Sequence, residues 1–369
     1  MKYEIKKTDK TSAYIQLYKQ VREDIINGIY PYNTKLPSKR ITAEELGIST
    51  VTVEHAYSLL CDEGYIEPME RSGYFVIFRT TDGFVSSQKY AKHIYPTVQH
   101  HDTSVEFPFS VLAKTIRTVI SNMKESVLDR SENFGTYQLR TAIKEYLARN
   151  RGITADIEQI VIGSGSEYLY NLIVVLLGRD KTFAIESPSY KKIEQVYSVS
   201  GVKLQKLPLL NDGIDSNALK SCNADVLHIS PYRSYPSGVS ADISKRHEYL
   251  RWAKHFNRFI IEDDFESEFS VSQKFEETLF SQSGQDNVIY MNTFSKTVSP
   301  SLRVGYMVLP KCLIEKFKTT LGFYSCTVPT YIQYVLAELI TSGDFERHIN
   351  RVRRAKRKEI AKLQTKDKI

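Results

Sequence analysis

The chain has 369 residues, of which 41% are hydrophobic and 25% charged, a composition typical of a soluble globular protein with more than one domain. No apolar run approaches the roughly 20 residues that span a bilayer, and the N-terminus opens no apolar signal region, so we expect a cytoplasmic protein. The net charge of +7 derives from residues 347–369, which hold ten basic and two acidic residues, so charge alone does not indicate nucleic-acid binding.

Residues 1–78 carry the spacing of a winged helix-turn-helix domain. Apolar residues three and four positions apart predict a first helix. A second and a third helix each begin at a serine and end at a glycine, which are preferred at N-caps and just beyond C-caps. Two β-rich segments around Arg71-Ser72-Gly73 predict a hairpin, the wing. The predicted order is helices over residues 12–27, 38–46 and 49–63, then strands over residues 65–67 and 74–77.

This segment resembles the winged-helix domain of the GntR family through Leu36-Pro37-Ser38-x-Arg40 and Leu46-Gly47-x-Ser49-x-x-Thr52-Val53-x-x-Ala56-Tyr57-x-x-Leu60. The resemblance implies double-stranded DNA as a partner, with the start of the third helix reading base edges in the major groove. It implies DNA contacts from Ser38, Lys39, Arg40, Ser49, Thr50, Thr52 and Gly73. Thr50 stands where many family members carry an arginine. The alternative is a small helical domain that contacts proteins.

Residues 79–105 are predicted to be a polar linker, because they show no clear hydrophobic periodicity. His93, His100 and His101 fall within it, but their separations match no standard metal-ligand pattern. The four cysteines of the chain are scattered as well, so we predict reduced thiols and no metal site.

Residues 106–369 alternate helical patterns with short β-rich runs, which predicts an α/β domain with a mostly parallel sheet. Helices are predicted over residues 139–151 and 168–177. Five apolar runs predict buried strands, at residues 160–162, 182–185, 225–229, 258–261 and 287–291. Each run ends in a polar or glycine-bearing loop, and ligands of open α/β sheets bind at the carboxyl ends of the strands.

Three of these loops carry residues suited to chemistry. The turn Gly163-Ser-Gly-Ser-Glu167 precedes a helix, where backbone N–H groups bind phosphate, although packing turns of this composition are common. The run Glu262-Asp263-Asp264 offers a carboxylate that keeps a pyridine nitrogen protonated, or else a solvated strand end. Lys296 lies among small hydroxyl residues. A lysine amine forms a Schiff base with an aldehyde cofactor, usually pyridoxal phosphate (PLP), whereas most lysines are surface residues.

The large domain resembles fold-type I aminotransferases, and most closely the aminotransferase-like half of MocR-type regulators. The motifs that carry the resemblance are Gly135-Thr-Tyr137-x-Leu139-Arg140, Ser164-Gly165-Ser166, Glu186-x-Pro188-x-Tyr190, Tyr235-Pro236-Ser237-Gly238, Glu262-Asp263-Asp264 and the loop Asn292-Thr-Phe-Ser-Lys296. Together with the GntR segment the resemblance covers nearly the whole chain, and the order of the two domains is that of the MocR-type family.

The resemblance implies a role for each site residue. Lys296 would be the catalytic, Schiff-base lysine, Asp263 would pair with the pyridine nitrogen and Tyr190 would stack on the ring. The phosphate would be held by Ser164, Gly165, Ser166, Thr293, Ser295 and Arg303. Phe265 stands where relatives usually carry a tyrosine that reaches the phenolic oxygen of the cofactor, so that hydrogen bond is lost unless a group such as Tyr235 replaces it.

Relatives continue past the position of Ile369 into a small C-terminal domain, which normally holds the arginine that grips a substrate carboxylate. We therefore expect a large domain without most of that part. The resulting hypothesis is a cytoplasmic, homodimeric transcriptional regulator that binds an operator with two half-sites and senses PLP or an amino compound. The alternatives are a PLP-dependent aminotransferase with an accessory DNA-binding domain, and a DNA-binding protein whose second domain is a cofactor-free dimerisation scaffold.

Overall fold

A computed structural model describes residues 3–6, 11–70, 72–79, 106–255, 257–265, 267–270, 277–284 and 286–366. The chain divides into two compact units, Met1–His101 and Asp102–Ile369. The three linker histidines and Arg71 of the predicted wing tip lie outside the described residues. The predicted linker bounds, 79 and 105, stay predictions.

The N-terminal unit contains three helices followed by a two-stranded antiparallel hairpin in which Ile66 faces Val76. The elements are α1 (Ala13–Ile26), α2 (Lys39–Leu46), α3 (Thr50–Asp62), β1 (Ile66–Met69) and β2 (Gly73–Val76). The apolar faces of α1 and α3 meet in one core, where Leu17, Val53 and Leu60 are fully buried. Burial of each such side chain contributes about 1.5–3 kcal/mol.

Two serines and a glycine set the boundaries of the helix-turn-helix. The Ser38 hydroxyl accepts the N–H of Ile41 at 3.3 Å, and the Ser49 hydroxyl accepts the N–H of Thr52 at 3.1 Å. These hydrogen bonds satisfy N–H groups that have no partner within the helix. Gly47 ends α2 with φ 63°, in the left-handed region that favours glycine.

The larger unit is an α/β domain built on one sheet. Its strands are β3 (Ile160–Gly163), β4 (Thr182–Ser187), β5 (Lys203–Leu210), β6 (Gly213–Ile214), β7 (Val226–Ile229), β8 (Phe259–Asp263), β9 (Val288–Thr293) and β10 (Gly305–Val308). Its helices are α4 (Phe109–Met123), α5 (Tyr137–Arg151), α6 (Ser166–Leu177), α7 (Lys191–Val199), α8 (Ser216–Ser221), α9 (Ile243–His255), α10 (Leu279–Gln282), α11 (Lys311–Leu321), α12 (Thr330–Thr341) and α13 (Asp344–Lys366). Short 3₁₀ helices cover Lys124–Leu128, Ile157–Gln159, Ser267–Phe269 and Pro300–Leu302.

The strand order in this sheet is β3-β10-β9-β8-β7-β4-β5-β6. The five strands from β9 to β5 run parallel, whereas β10 is antiparallel to both of its neighbours and β6 is antiparallel to β5. The sheet is therefore mostly parallel, which confirms the predicted fold class.

Both faces of the sheet are covered, because successive strand residues point to opposite sides. On β8, Ile260 packs into one core and Ile261 into the other. On β9, Val288 and Tyr290 share the first core, while Ile289 belongs to the second. Helices α5, α8, α9 and α12 cover the first face, and α6, α7 and α11 cover the second. Continuous apolar runs are typical of strands buried on both faces.

The five predicted strands are all present, but the sequence analysis missed β5, β6 and β10. The two predicted helices begin earlier than expected, since α5 starts at Tyr137 and α6 at Ser166. In the part of the chain that the structure describes, no helix combines the length and apolar character needed to cross a membrane.

Candidate functional site

The carboxyl ends of the parallel strands border one cavity of about 520 Å³. Strands β4, β7, β8 and β9 end next to each other, so the loops that follow them meet at this edge of the sheet. The cavity is lined by Ser166, Glu167, Tyr170, Ile185, Glu186, Ser189, Tyr190, Lys192, Ile193, His228, Ser230, Tyr235, Asp263, Phe265, Thr293, Ser295, Lys296 and Arg303.

The structure brings most of the predicted cofactor residues to this cavity. They are Ser166, Tyr190, Tyr235, Asp263, Thr293, Ser295, Lys296 and Arg303. Ser164 is not among the lining residues, whereas Ser166, the first residue of α6, is. Gly165 also does not line it but contacts Arg303. Their roles toward a cofactor stay predictions.

One end of the cavity is a cradle built from the start of α6 and the loop after β9. The N-cap of α6 is Gly165, with φ 91°, and a Cβ added there would lie 2.8 Å from Nη2 of Arg303. Only a glycine lets the guanidinium approach the turn so closely. Across the cradle, the Thr293 hydroxyl lies 2.9 Å from the Ser295 hydroxyl. N–H groups at a helix start, hydroxyls and a guanidinium are the groups that bind phosphate.

Arg303 has a strained backbone, since its φ of 50° lies in the left-handed region that bulky residues rarely adopt. Its side chain is half exposed, and Nη2 forms an ion pair with a carboxylate oxygen of Glu167. The other carboxylate oxygen of Glu167 accepts from Lys192 Nζ at 2.9 Å. Burial raises the pKa of Glu167, but hydrogen bonds from Lys192, its own backbone and Arg303 outweigh burial and lower it to about 2. A carboxylate therefore lies in the cradle at physiological pH.

Asp263, which is 5% exposed, also lines the cavity. The Tyr170 hydroxyl donates to Oδ2 of Asp263 at 2.5 Å, and Nε2 of His228 lies 3.4 Å from the same oxygen. Nδ1 of His228 is 2.6 Å from the Tyr197 hydroxyl. This buried chain of contacts holds the carboxylate of Asp263 in place and leaves it at the cavity wall.

The neighbours of Asp263 in the acidic run have other partners. Glu262 accepts the N–H groups of Leu279 and Phe280, at 2.8 and 2.9 Å, and so holds the start of α10. Asp264 forms a buried ion pair with Arg151, at 2.6 Å. Each of the three carboxylates is at most 5% exposed, so the run is not a solvated strand end.

Aromatic rings and Lys296 also line the cavity. The rings of Tyr190 and Tyr235 meet edge to face with centroids 5.8 Å apart, and both side chains are partly exposed. Phe265 lines the same space and brings no hydroxyl. Lys296 is an exposed residue that lines the cavity.

A second buried carboxyl, Glu186, also lines the cavity at the end of β4. The Ser234 hydroxyl donates to Glu186 at 2.6 Å. Burial is the main cause that raises the pKa of Glu186 to about 7, and the charge of Asp263 adds to it against hydrogen bonds from Ser234 and Ser230.

The predicted DNA-contacting residues lie on the helix-turn-helix and the hairpin. Ser38, Arg40, Ser49, Thr50 and Gly73 are exposed, whereas Lys39 and Thr52 are half-buried. The two serines act as N-caps. Lys39 forms an ion pair with Glu54 of α3 at 2.6 Å, so its charge is already paired in the free protein.

Comparison with known proteins identifies both units. A profile of the bacterial regulatory proteins of the gntR family matches residues 13–76, and a profile of aminotransferase class I and II matches residues 103–366. The HTH-type transcriptional regulator YdeL of Bacillus subtilis (strain 168), itself uncharacterized, is 32% identical over 94% of this chain and 77% of its own length. The probable rhizopine catabolism regulatory protein MocR of Rhizobium meliloti is 27% identical over 92% of this chain and 74% of its own. The chain belongs to the MocR-type family of HTH-type transcriptional regulators.

Solved structures agree with this fold for the larger unit of the MocR-type chain. An archaeal alanine:glyoxylate aminotransferase superposes with a TM-score of 0.60 at 22% identity, over 66% of this chain and 62% of the other. LysN, the α-aminoadipate aminotransferase from Thermus thermophilus, has a TM-score of 0.58 at 26% identity, over 67% of this chain and 64% of its own. That structure is a complex with N-(5'-phosphopyridoxyl)-L-leucine.

The sequence analysis missed several residues of the pocket in this MocR-type chain. Tyr170 and His228 contact Asp263 from positions 93 and 35 residues earlier in the chain, and no local pattern signals such a contact. Glu167 was read only as the end of the turn. The sequence signal for Glu167 was an acidic residue in the first turn of a predicted helix. A carboxylate at that position is stabilised by the helix N-terminus and by nearby cations.

Proposed function

We propose that this chain is a DNA-binding transcriptional regulator whose aminotransferase-like domain binds PLP at Lys296 and senses PLP or an amino compound. The observation that carries the proposal is that Lys296, Arg303 and the buried carboxylate of Asp263 line the same cavity. The proposal is further supported by the winged helix in the same chain, since a GntR domain binds DNA.

The volume of the cavity and the charged groups that line it fit PLP. A cavity of about 520 Å³ falls in the usual range for small-molecule pockets. Arg303, Thr293, Ser295 and the start of α6 suit the phosphate, and the close approach of Arg303 to Gly165 forms a cradle that a side chain there would fill. At the other end, the Asp263 carboxylate suits a protonated ring nitrogen. PLP, when bound, supplies an aldehyde and an electron-withdrawing ring.

Each protein group would then have a defined task. The amine of Lys296 would attach the ligand, and Asp263 would hold a proton on the ring nitrogen with Tyr170 keeping the carboxylate oriented. Tyr190 would cover the ring. Because Phe265 brings no hydroxyl, it would place no donor beside the phenolic oxygen. Because Lys296 is exposed, an amino compound could reach its amine as an effector.

Visible absorbance of the purified full chain with added PLP tests the cofactor claim. The parent should show the band of a bound pyridoxal group and Lys296→Ala should lack it. Borohydride reduction followed by peptide mass spectrometry should place the pyridoxyl group on the peptide that contains Lys296. The matched control is Lys311→Ala, which removes an exposed lysine of the same domain outside the cavity and should retain the band.

The two alternatives give different outcomes in the same experiment. A parent protein without the band would support a cofactor-free scaffold and would overturn the proposal. Steady release of keto acid from an amino donor, abolished in Lys296→Ala, would favour a working aminotransferase.

The DNA part of the proposal includes a homodimer on an operator with two half-sites. Two-fold symmetry of a dimer leads to paired half-sites in the DNA. Footprinting should therefore protect two related segments of the operator. Protection of one unpaired segment would contradict the dimeric arrangement.

A further inference from the structure

Glu167 is a carboxylate in the part of the cavity that would hold a phosphate. It lies in the first turn of α6, in the cradle that the proposed function assigns to the phosphate of PLP. Its carboxylate bridges Arg303 and Lys192, using one oxygen for each. The cradle therefore contains two cations and one anion. Arg303, which approaches Gly165 at the start of α6, is already paired with Glu167.

An anion that enters the cradle meets this carboxylate. The start of α6 and the Arg303 guanidinium favour negative charge, but the carboxylate of Glu167 repels a phosphate dianion and contacts the same guanidinium. Phosphate can gain the full interaction with Arg303 only when Glu167 leaves it.

We infer that Glu167 competes with the ligand phosphate for Arg303 and thereby sets the affinity of the pocket for phosphorylated ligands. This inference rests on the proposed function, since it concerns the same pocket. Glu167 is therefore a specificity-determining residue that lowers the preference of the pocket for PLP over its unphosphorylated counterpart, pyridoxal.

Lys192 makes the exchange feasible. Lys192 is the second residue of α7, and its amine donates a hydrogen bond to the second carboxylate oxygen of Glu167 at 2.9 Å. When phosphate takes Arg303, the displaced carboxylate keeps Lys192 as its partner and does not become an unpaired charge. Phosphate binding is then an exchange of partners within one cluster of charged groups.

The first test is PLP affinity of Glu167→Gln, measured by titration of the visible band in the full chain. The amide keeps an oxygen that can accept from Arg303 but carries no charge. Removal of one negative charge beside a phosphate dianion should tighten PLP binding about tenfold. The affinity for pyridoxal should change less than about twofold, because it has no phosphate.

A matched control and a double-mutant cycle separate competition from a general charge effect. Glu194→Gln removes an exposed carboxyl on α7 that pairs with Lys206, and it should leave PLP affinity unchanged. Lys192→Gln should weaken PLP binding about threefold more in the parent than in the Glu167→Gln background, because only the parent has a displaced carboxylate to stabilise.

The outcomes separate this inference from the proposed function. If the parent shows the Lys296-dependent band but Glu167→Gln binds PLP no more tightly, the competition is refuted and the cofactor proposal stands. Equal tightening for pyridoxal and PLP would also refute it. If neither protein shows the band, both the competition and the cofactor proposal fail.

Discussion

Glu186 links the proton content of the larger unit to its stability. This carboxyl is 6% exposed at the end of β4, and burial raises its pKa from 4.5 to about 7. In the unfolded chain the group loses its proton near pH 4.5, whereas the folded chain retains it until about pH 7. The folded state therefore holds more protons between these values, and the free energy of unfolding falls as the pH rises from about 5 to about 8.

The size of the effect follows from the difference in pKa. Each pKa unit corresponds to about 1.4 kcal/mol, so the change from 4.5 to about 7 corresponds to about 3 kcal/mol of stability that is present near pH 5 and lost near pH 8. In Glu186→Gln the side chain is neutral at every pH, and its amide oxygen can still accept from Ser234. Relative to the parent, the variant should therefore gain about 3 kcal/mol between pH 5 and pH 8.

Urea unfolding followed by the fluorescence of Trp252 measures this difference. Trp252 is the single tryptophan of the chain and is buried in the larger unit, so its signal reports that unit. Curves for the parent and the variant at pH 5, 6, 7 and 8, without PLP, give the difference at each pH. Glu194→Gln, which removes an exposed carboxyl, is the control. A difference between Glu186→Gln and the parent that stays constant over this range would refute the reasoning.

Two further predictions concern the winged helix. Glu54→Gln should release Lys39 to contact a DNA phosphate. Binding to non-specific duplex DNA should then be tighter, and the slope of log K against log salt should be steeper by about one. An unchanged slope would show that the ion pair does not restrain Lys39. Leu60→Ala removes a fully buried side chain and should lower the free energy of unfolding of the winged-helix unit by about 2–5 kcal/mol. Hydrogen exchange throughout α3 should then be faster, and exchange as slow as in the parent would contradict the packing.

The sequence was sufficient for the elements whose signals are local. Serine N-caps and the glycines at or just beyond the helix ends, Gly47 and Gly64, placed the helix-turn-helix, because both act within one turn of the chain. Strands β7, β8 and β9 were predicted since each is a continuous apolar run. Strand β5 was missed because Leu207 is its one buried residue and Pro208 follows it, a pattern that resembles a polar loop. Strand β10 was missed because it has only four residues and follows Arg303 closely, without a separate turn signal.

The pocket shows the same limit. Residues at the ends of strands could be predicted, because the parallel sheet brings those ends together wherever the strands are correctly identified. The ion pair between Glu167 and Arg303 joins positions 136 residues apart, and the hydrogen bond from Tyr170 to Asp263 joins positions 93 apart. Such contacts depend on the three-dimensional packing of α6 against the sheet, which no local spacing encodes.

The charges at the two ends of the pocket bear on what the domain would do with PLP. A carboxylate at the ring end, Asp263, favours a protonated ring nitrogen, whereas a carboxylate at the phosphate end, Glu167, opposes the phosphate. An enzyme that keeps its cofactor through many turnovers gains nothing from the second carboxylate. A sensor does gain, because it must release its ligand when the concentration falls, and occupancy changes most where the ligand concentration is near Kd. The opposing carboxylate in the cradle therefore favours the regulator over the aminotransferase as the role of this pocket.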